Sequence, residues 1–151
     1  MKKLLTGGTI ITDKGRVEGD LLIDGEKIVG IYGDDLDQNL KDNSQLIDVS
    51  NKIIMPGIID AHTHYQLKSR NTVTADDFFT GSLSAAIGGV TTFIDYADHL
   101  PDYPLINGVE YRVKEAEKDS VIDFHLHQTI TSFNKKISNQ LEEIKKYFGI
   151  T

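Results

Sequence analysis

Five histidines are the residues of this 151-residue chain best suited to chemistry near neutral pH, and two of them stand one residue apart in His62-Thr63-His64. They follow Ile58-Ile59-Asp60-Ala61, an apolar run that reads as a strand. Side chains alternate along a strand, so His62 and His64 share a face. Two neutral imidazoles on one face at a strand's C-terminal end can grip one metal ion. Zinc suits them, and zinc lowers the pKa of a bound water to about 7. The competing reading of a bare His-x-His is an exposed strand end with hydrogen-bonded, idle rings. Asp60 lies on the same face, where a carboxylate could orient a ligand histidine.

A second pair, His125 and His127, sits on VIDFHLHQTI (residues 121–130) with Asp123 on the same face. These rings are either added ligands for the first pair or packing and outer-layer residues, and the second reading is favoured. His99, beside Pro101, falls in a loop after a strand. It is expected to be solvent-exposed, with substrate contact as the alternative. Asp95, near the end of that strand, is read as a partner for a helix or loop backbone rather than as a catalytic group.

Three further facts bound the function. The net charge of −7 and pI of about 5.1 argue against nucleic acid or an anionic membrane as partner. The absence of cysteine excludes disulfides, thiolate metal sites and a Cys nucleophile. No apolar run approaches the ~20 residues of a membrane span, and the N-terminus does not read as a signal peptide, so a cytoplasmic location is expected.

The elements that would position these residues change character near Pro56. Residues 1–55 read as all-β, with Asp24-Gly25 as a hairpin turn and a polar loop over residues 34–45. After Pro56 come a strand at residues 58–62, then a helix N-capped by Thr74 with Asp76 and Asp77 in its first turn. Phe78, Phe79, Leu83, Ala86 and Ile87 supply its apolar spacing, and Gly88-Gly89 ends it. A strand over 90–96, a helix near 109–118, a strand over 121–130 and a helix from about 135 to 148 follow. Strands alternating with helices imply a parallel sheet, and three such units fall short of the about 250 residues of a closed eight-fold barrel.

The run from Pro56 to His64, PGIIDAHTH, resembles the PGxIDxHxH signature of the amidohydrolase superfamily. TVTADDF (residues 72–78) and FTGSLSAAIGGVTTFIDY (residues 79–96) resemble the corresponding segment of the dihydropyrimidinases and D-hydantoinases, and the spacing from the histidine pair agrees. The resemblance covers nearly the whole chain and is to the N-terminal part of those enzymes. The fold it implies is α/β: the start of a (β/α)8 TIM-type barrel preceded by the N-terminal part of a small β-sandwich. Residues 1–55 would be the sandwich part and 56–151 the first three βα units.

The resemblance implies hydrolysis of a cyclic amide, the opening of a dihydropyrimidine or hydantoin ring by a hydroxide bridging two zinc ions. His62 and His64 would bind the more buried ion. The carbamylated lysine that bridges the ions and the catalytic aspartate are expected beyond Thr151, so the 151-residue piece alone is expected to be inactive. Lys145 and Lys146 lie in the helical run LEEIKKYF, on the side opposite Ile144 and Phe148, and are read as solvated surface lysines rather than as the bridge. The family also implies a homo-oligomer, a tetramer, acting on a small cyclic amide or ureide.

The segment after the pair, residues 65–71, would be the substrate loop, with Tyr65 and Leu67 as its candidate contacts. Lys68 and Arg70 could draw in an anionic or ureide substrate, although an exposed lid with solvated charges is the favoured reading. Gln66 stands where dihydroorotases typically place an arginine, which counts against that activity. An allantoinase-like enzyme and a non-catalytic dihydropyrimidinase-like scaffold protein are the alternatives.

Overall fold

The structure is a computed structural model that describes residues 1–33, 36–69, 71–99 and 103–150. Asp34, Arg70, Pro101 and Thr151, which entered the sequence reading, lie outside the described residues. The chain forms two compact units, Met1–Pro56 and Gly57–Thr151.

The first unit contains β1 (Lys2–Thr12), β2 (Gly15–Asp24), β3 (Lys27–Tyr32), α1 (Gln38–Asp42), β4 (Gln45–Asp48) and β5 (Ile53–Ile54). β1 pairs antiparallel with β2, and β2 with β3, while β4 and β5 both run parallel to β1. The turn between β2 and β3 holds Gly25 at φ 59°, the left-handed conformation that Asp-Gly turns favour. Leu4, Ile10, Leu21, Leu22 and Val49 form the buried apolar side. The expectation of an all-β segment is corrected by α1. This short helix has no buried residue, so hydrophobic periodicity carries no trace of it. Asp37 caps it by accepting from the Asn39 backbone N–H.

The second unit contains β6 (Ile58–Asp60), β7 (Lys68–Ser69), β8 (Thr72–Val73), α2 (Phe78–Ile87), β9 (Val90–Ala97), α3 (Leu105–Asp119), β10 (Asp123–Gln128) and α4 (Lys135–Phe148). Its main sheet is fully parallel, in the order β10-β9-β6, with a helix between each pair of sequential strands. A Cβ at Gly57 would overlap the Thr91 side chain, so only glycine permits the approach of the β6 entrance to β9. Alternation along β9 buries Phe93, Asp95 and Ala97 on one face. Ala97 joins Leu105, Val109, Leu126, Ile137, Ile144 and Ile150 in one core cluster; Phe93 joins Phe78 and Ala116 in another.

The start of α2 differs from the sequence expectation. Asp77, not Thr74, is the N-cap: its side chain accepts from Thr80 N–H while the Thr80 hydroxyl accepts from Asp77 N–H, a complete capping box. Thr74 bridges the preceding loop, accepting from Leu67 N–H at 2.9 Å and donating to His64 O at 3.0 Å. The apolar face also differs. Phe78, Gly81 and Ser82 are the buried residues of α2, whereas Phe79, Leu83 and Ile87 form an exposed i, i+4, i+8 stripe. α3 begins a turn earlier than expected, at Leu105. Among the described residues no helix is long and apolar enough to cross a membrane.

Candidate metal centre

The histidine segment leaves β6 but stays bonded to β9. β6 pairs with β9 as far as Asp60↔Phe93, with a register shift after Ile58, and beyond the strand Thr63 N–H donates to Ile94 O at 2.9 Å. This extended geometry enforces alternation. Thr63 is buried, while His62 and His64 are exposed on the opposite side.

The two rings meet edge to face, with centroids 4.9 Å apart and Nε2 atoms 3.1 Å apart. Nitrogens at that separation, each at the usual zinc distance, would subtend about 100° at one ion, close to a tetrahedral angle. The pair therefore fits two positions of a single zinc coordination sphere. Among the described residues no group of three or more His, Asp or Glu side chains gathers to hold a metal ion. His125 and His127 do not join the first pair. Their rings are 6.4 Å apart on β10, and the strand between them and β6 presents Tyr96, which is opposite His127 in register.

What holds the pair in place lies on the other side of the strand. Asp95 is fully buried at a core-facing position of β9. Its Oδ2 accepts from Tyr65 N–H at 2.8 Å and from the Thr63 hydroxyl at 3.1 Å; its Oδ1 accepts from Tyr96 N–H at 2.7 Å and from Arg112 Nη2 at 2.7 Å. A buried carboxylate survives only when paired and fully hydrogen-bonded, and here its partners at positions 63 and 65 bracket His64. Arg112 is 7% exposed. It also donates to Tyr65 O and, through Nη1, to Glu115 Oε2 at 3.2 Å, and its guanidinium lies over the Phe78 ring at 4.4 Å. Among the described residues its Nε has no partner. The expectation that Asp95 serves a loop backbone agrees with these bonds. Arg112, missed in the sequence, had a visible signal: it continues the stripe Leu105, Val109, Arg112, Ala116, a charge on the buried face of a helix.

The other candidates are placed as follows. Asp60 does not reach a ring; its Oδ1 accepts from the His62 backbone N–H at 3.2 Å. The group facing the outer nitrogen of His62 is Tyr96, whose hydroxyl is 2.9 Å from Nδ1. Tyr65 directs its ring into the packing of Phe78 and Phe93, where Gly81 leaves room for it. Burial, then the nearby Asp60 and Asp95 charges, raises the Tyr65 phenol above its ordinary pKa. Leu67 is half-buried in the loop. Gln66 donates to Glu115 Oε1 at 3.1 Å, and Lys68 is exposed. A cavity of about 410 Å³ lies between Gln66, Lys68, Tyr111 and Arg112, and neither histidine of the pair lines it. His99 is corrected from exposed to buried: its Nδ1 accepts from Thr131 N–H at 3.1 Å, and its own N–H donates to the Thr129 hydroxyl, tying the ends of β9 and β10 together. Lys145 and Lys146 are exposed on α4.

Comparison with known proteins gives one answer. A profile of the Amidohydrolase family matches residues 53–150. Over 151 residues the chain is 36% identical to a D-hydantoinase of Geobacillus stearothermophilus, covering 100% of this chain and 31% of that protein. It is 30% identical over 149 residues to a dihydropyrimidinase of Dictyostelium discoideum, covering 97% and 29%. The crystal structure of dihydropyrimidinase from Brevibacillus agri NCHU1002 superposes with a TM-score of 0.92 at 34% identity, over 100% of this chain and 32% of its own. A D-hydantoinase crystal structure gives 0.91 at 33% identity, over 100% and 32%. The chain spans about a third of the length of the relatives it matches. The fold class read from the sequence, the start of a TIM-type barrel after part of a β-sandwich, is the one these neighbours support. With the strand order, the loop after β6 and the sequence agreement all pointing one way, the chain belongs to the amidohydrolase family, and within it is similar to D-hydantoinases and dihydropyrimidinases.

Proposed function

We propose that the protein carrying this chain hydrolyses a cyclic amide, opening a dihydropyrimidine or hydantoin ring, with His62 and His64 as ligands of a zinc site. One observation carries the reading: two imidazole Nε2 atoms 3.1 Å apart at the end of the first strand of a parallel sheet, in a chain similar throughout to D-hydantoinase and dihydropyrimidinase. When bound, zinc supplies Lewis acidity towards a carbonyl oxygen and acidifies water.

The chain's own residues supply the setting. His62 and His64 present their nitrogens from an exposed face, Thr63 and Tyr65 anchor that face through Asp95, and Thr74 of the following loop donates to His64 O. Leu67 is the loop residue left to meet a ring, since the Tyr65 side chain is engaged in packing. The rest of the zinc site, including a second ion, the bridging lysine and the catalytic aspartate, and the assembly of a cytoplasmic homotetramer rest on the family resemblance.

The test is ring opening of dihydrouracil and hydantoin alongside the zinc content of the same preparation. Hydrolysis that tracks zinc supports the reading. Preference for allantoin would move the substrate to the allantoinase alternative. Zinc-replete protein inert on all three rings would favour a non-catalytic scaffold.

A further inference from the structure

β9 ends in two neighbours that face opposite ways. Asp95 faces the helices and holds the backbone of the histidine loop; Tyr96 faces the histidines themselves. The Tyr96 ring centroid is 4.7 Å from that of His62 and 5.1 Å from that of His64, on which it stacks at 29°. It is 5.6 Å from the ring of His127. Three imidazoles thus surround one phenol, whose position is fixed by ring packing and by the Tyr96 N–H bond to Asp95. The hydroxyl reaches one nitrogen, His62 Nδ1, at 2.9 Å.

A neutral imidazole carries one ring proton. For Nε2 of His62 to offer its lone pair to a metal ion, that proton sits on Nδ1, and an acceptor facing Nδ1 fixes both the tautomer and the ring orientation. The carboxylate nearest in sequence, Asp60, is engaged with the His62 backbone. The phenol oxygen is the group in position.

Resting on the zinc reading above, we infer that Tyr96 is a positioning residue of the metal centre: its oxygen accepts the Nδ1 proton of His62 and holds the His62 Nε2 lone pair towards the site. In zinc-free protein the 3.1 Å contact between the two Nε2 atoms is then made by a proton on His64, which donates to His62. The usual acceptor for a metal-binding histidine is a carboxylate or a backbone carbonyl. A phenol does the same without adding a negative charge beside the ion.

The experiment uses Tyr96→Phe, which keeps the ring that packs on three imidazoles and removes only the oxygen. Zinc affinity of the wild-type protein, of Tyr96→Phe and of His62→Ala is measured by calorimetric titration with Zn²⁺. The tautomer of His62 is read in zinc-free protein from two-bond ¹H–¹⁵N imidazole spectra. We expect a single Nδ1–H tautomer in the wild type, a mixture in Tyr96→Phe, and zinc affinity weakened about 10- to 100-fold. Equal zinc affinity and an unchanged tautomer in Tyr96→Phe would overturn the inference while leaving the zinc reading intact. A wild-type His62 protonated on Nε2 would overturn it without any variant. Wild-type protein that binds no more zinc than His62→Ala would end the zinc reading for this pair and this inference with it.

Discussion

Asp95 Oδ1 and Arg112 Nη2 are 2.7 Å apart, with the carboxylate fully buried and the arginine side chain 8% exposed. This ion pair joins the middle of a three-stranded sheet to the helix that covers it. The carboxylate also bonds the residues on either side of His64, so the histidine loop, β9 and α3 share one charged centre.

The two partners of that centre are unequal, and a cycle of variants shows it. Arg112→Met leaves a buried carboxylate without its cation and should cost about 3–5 kcal/mol of stability. Adding Asp95→Asn removes the stranded charge and leaves an amide oxygen to accept from Tyr65 N–H, but sets the amide NH2 against Tyr96 N–H, so the double variant should regain only part of that loss. Urea unfolding of wild type, both single variants and the double variant measures this. Losses that simply add would show that the pair is not coupled.

His62→Ala and His64→Ala should each remove one zinc ion and nearly all ring opening, with little change in thermal midpoint, because both rings are exposed. Metal analysis and melting curves on the same samples separate the two effects. A variant that keeps full zinc content and full activity would remove that histidine from the site.

The capping box of α2 carries a pH signature. Bonds from the Thr80 backbone N–H and then its hydroxyl hold the Asp77 carboxyl below its ordinary value of 3.8. A carboxyl depressed in the folded state contributes stability that is present above the unfolded pKa and is lost as pH falls through the folded one. Acid unfolding of Asp77→Asn should therefore show a shallower loss of stability below pH 3.8 than wild type. Superimposable acid limbs would mean that the cap gains nothing from its charge.

At the alkaline end Tyr65 should ionise late. Burial and the carboxylates of Asp60 and Asp95 raise its phenol above 10.0. A raised folded pKa gives a contribution that is complete below the unfolded value and disappears as pH rises through the folded one. Ultraviolet titration of wild type against Tyr65→Phe should assign to Tyr65 a phenolate that forms above the ordinary tyrosine range. A difference spectrum centred at or below 10.0 would contradict the packing described.

The sequence made some of this legible and hid the rest for physical reasons. Local signals worked. Gly88-Gly89 before a β-branched run marked the end of α2 and the start of β9, and α4 runs from Lys135 to Phe148 behind an Asn134 cap, as its periodicity required. The histidines' shared face followed from alternation alone. Signals that depend on distant partners did not. Thr74 looked like a cap because it precedes two acids, but Asp77 has the threonine three residues on that completes the box. Phe78, Phe79, Leu83, Ala86 and Ile87 marked the helix by their apolar spacing, which does not say which of them are buried: α2 packs through Phe78, Gly81 and Ser82. Tyr96 and Arg112 acquire their roles only when β9 is placed between β6 and β10 and α3 is folded back over it. Strand pairing is set by long-range contacts that no window of sequence contains.

The loop after the histidines closes on itself. Gln66 N–H donates to Asp76 O at 2.8 Å, Thr74 N–H donates to Leu67 O at 3.0 Å, and β7 pairs with β8 between them. Its two stems are therefore fastened to each other independently of whatever occupies the tip. For an engineer this makes the segment a cassette: its tip can be exchanged or resized while the stems keep their own hydrogen bonds. The short stretch from Asp60 to Tyr65 offers no such freedom, since a single residue inserted between Asp60 and His62 would turn both imidazoles to the other face.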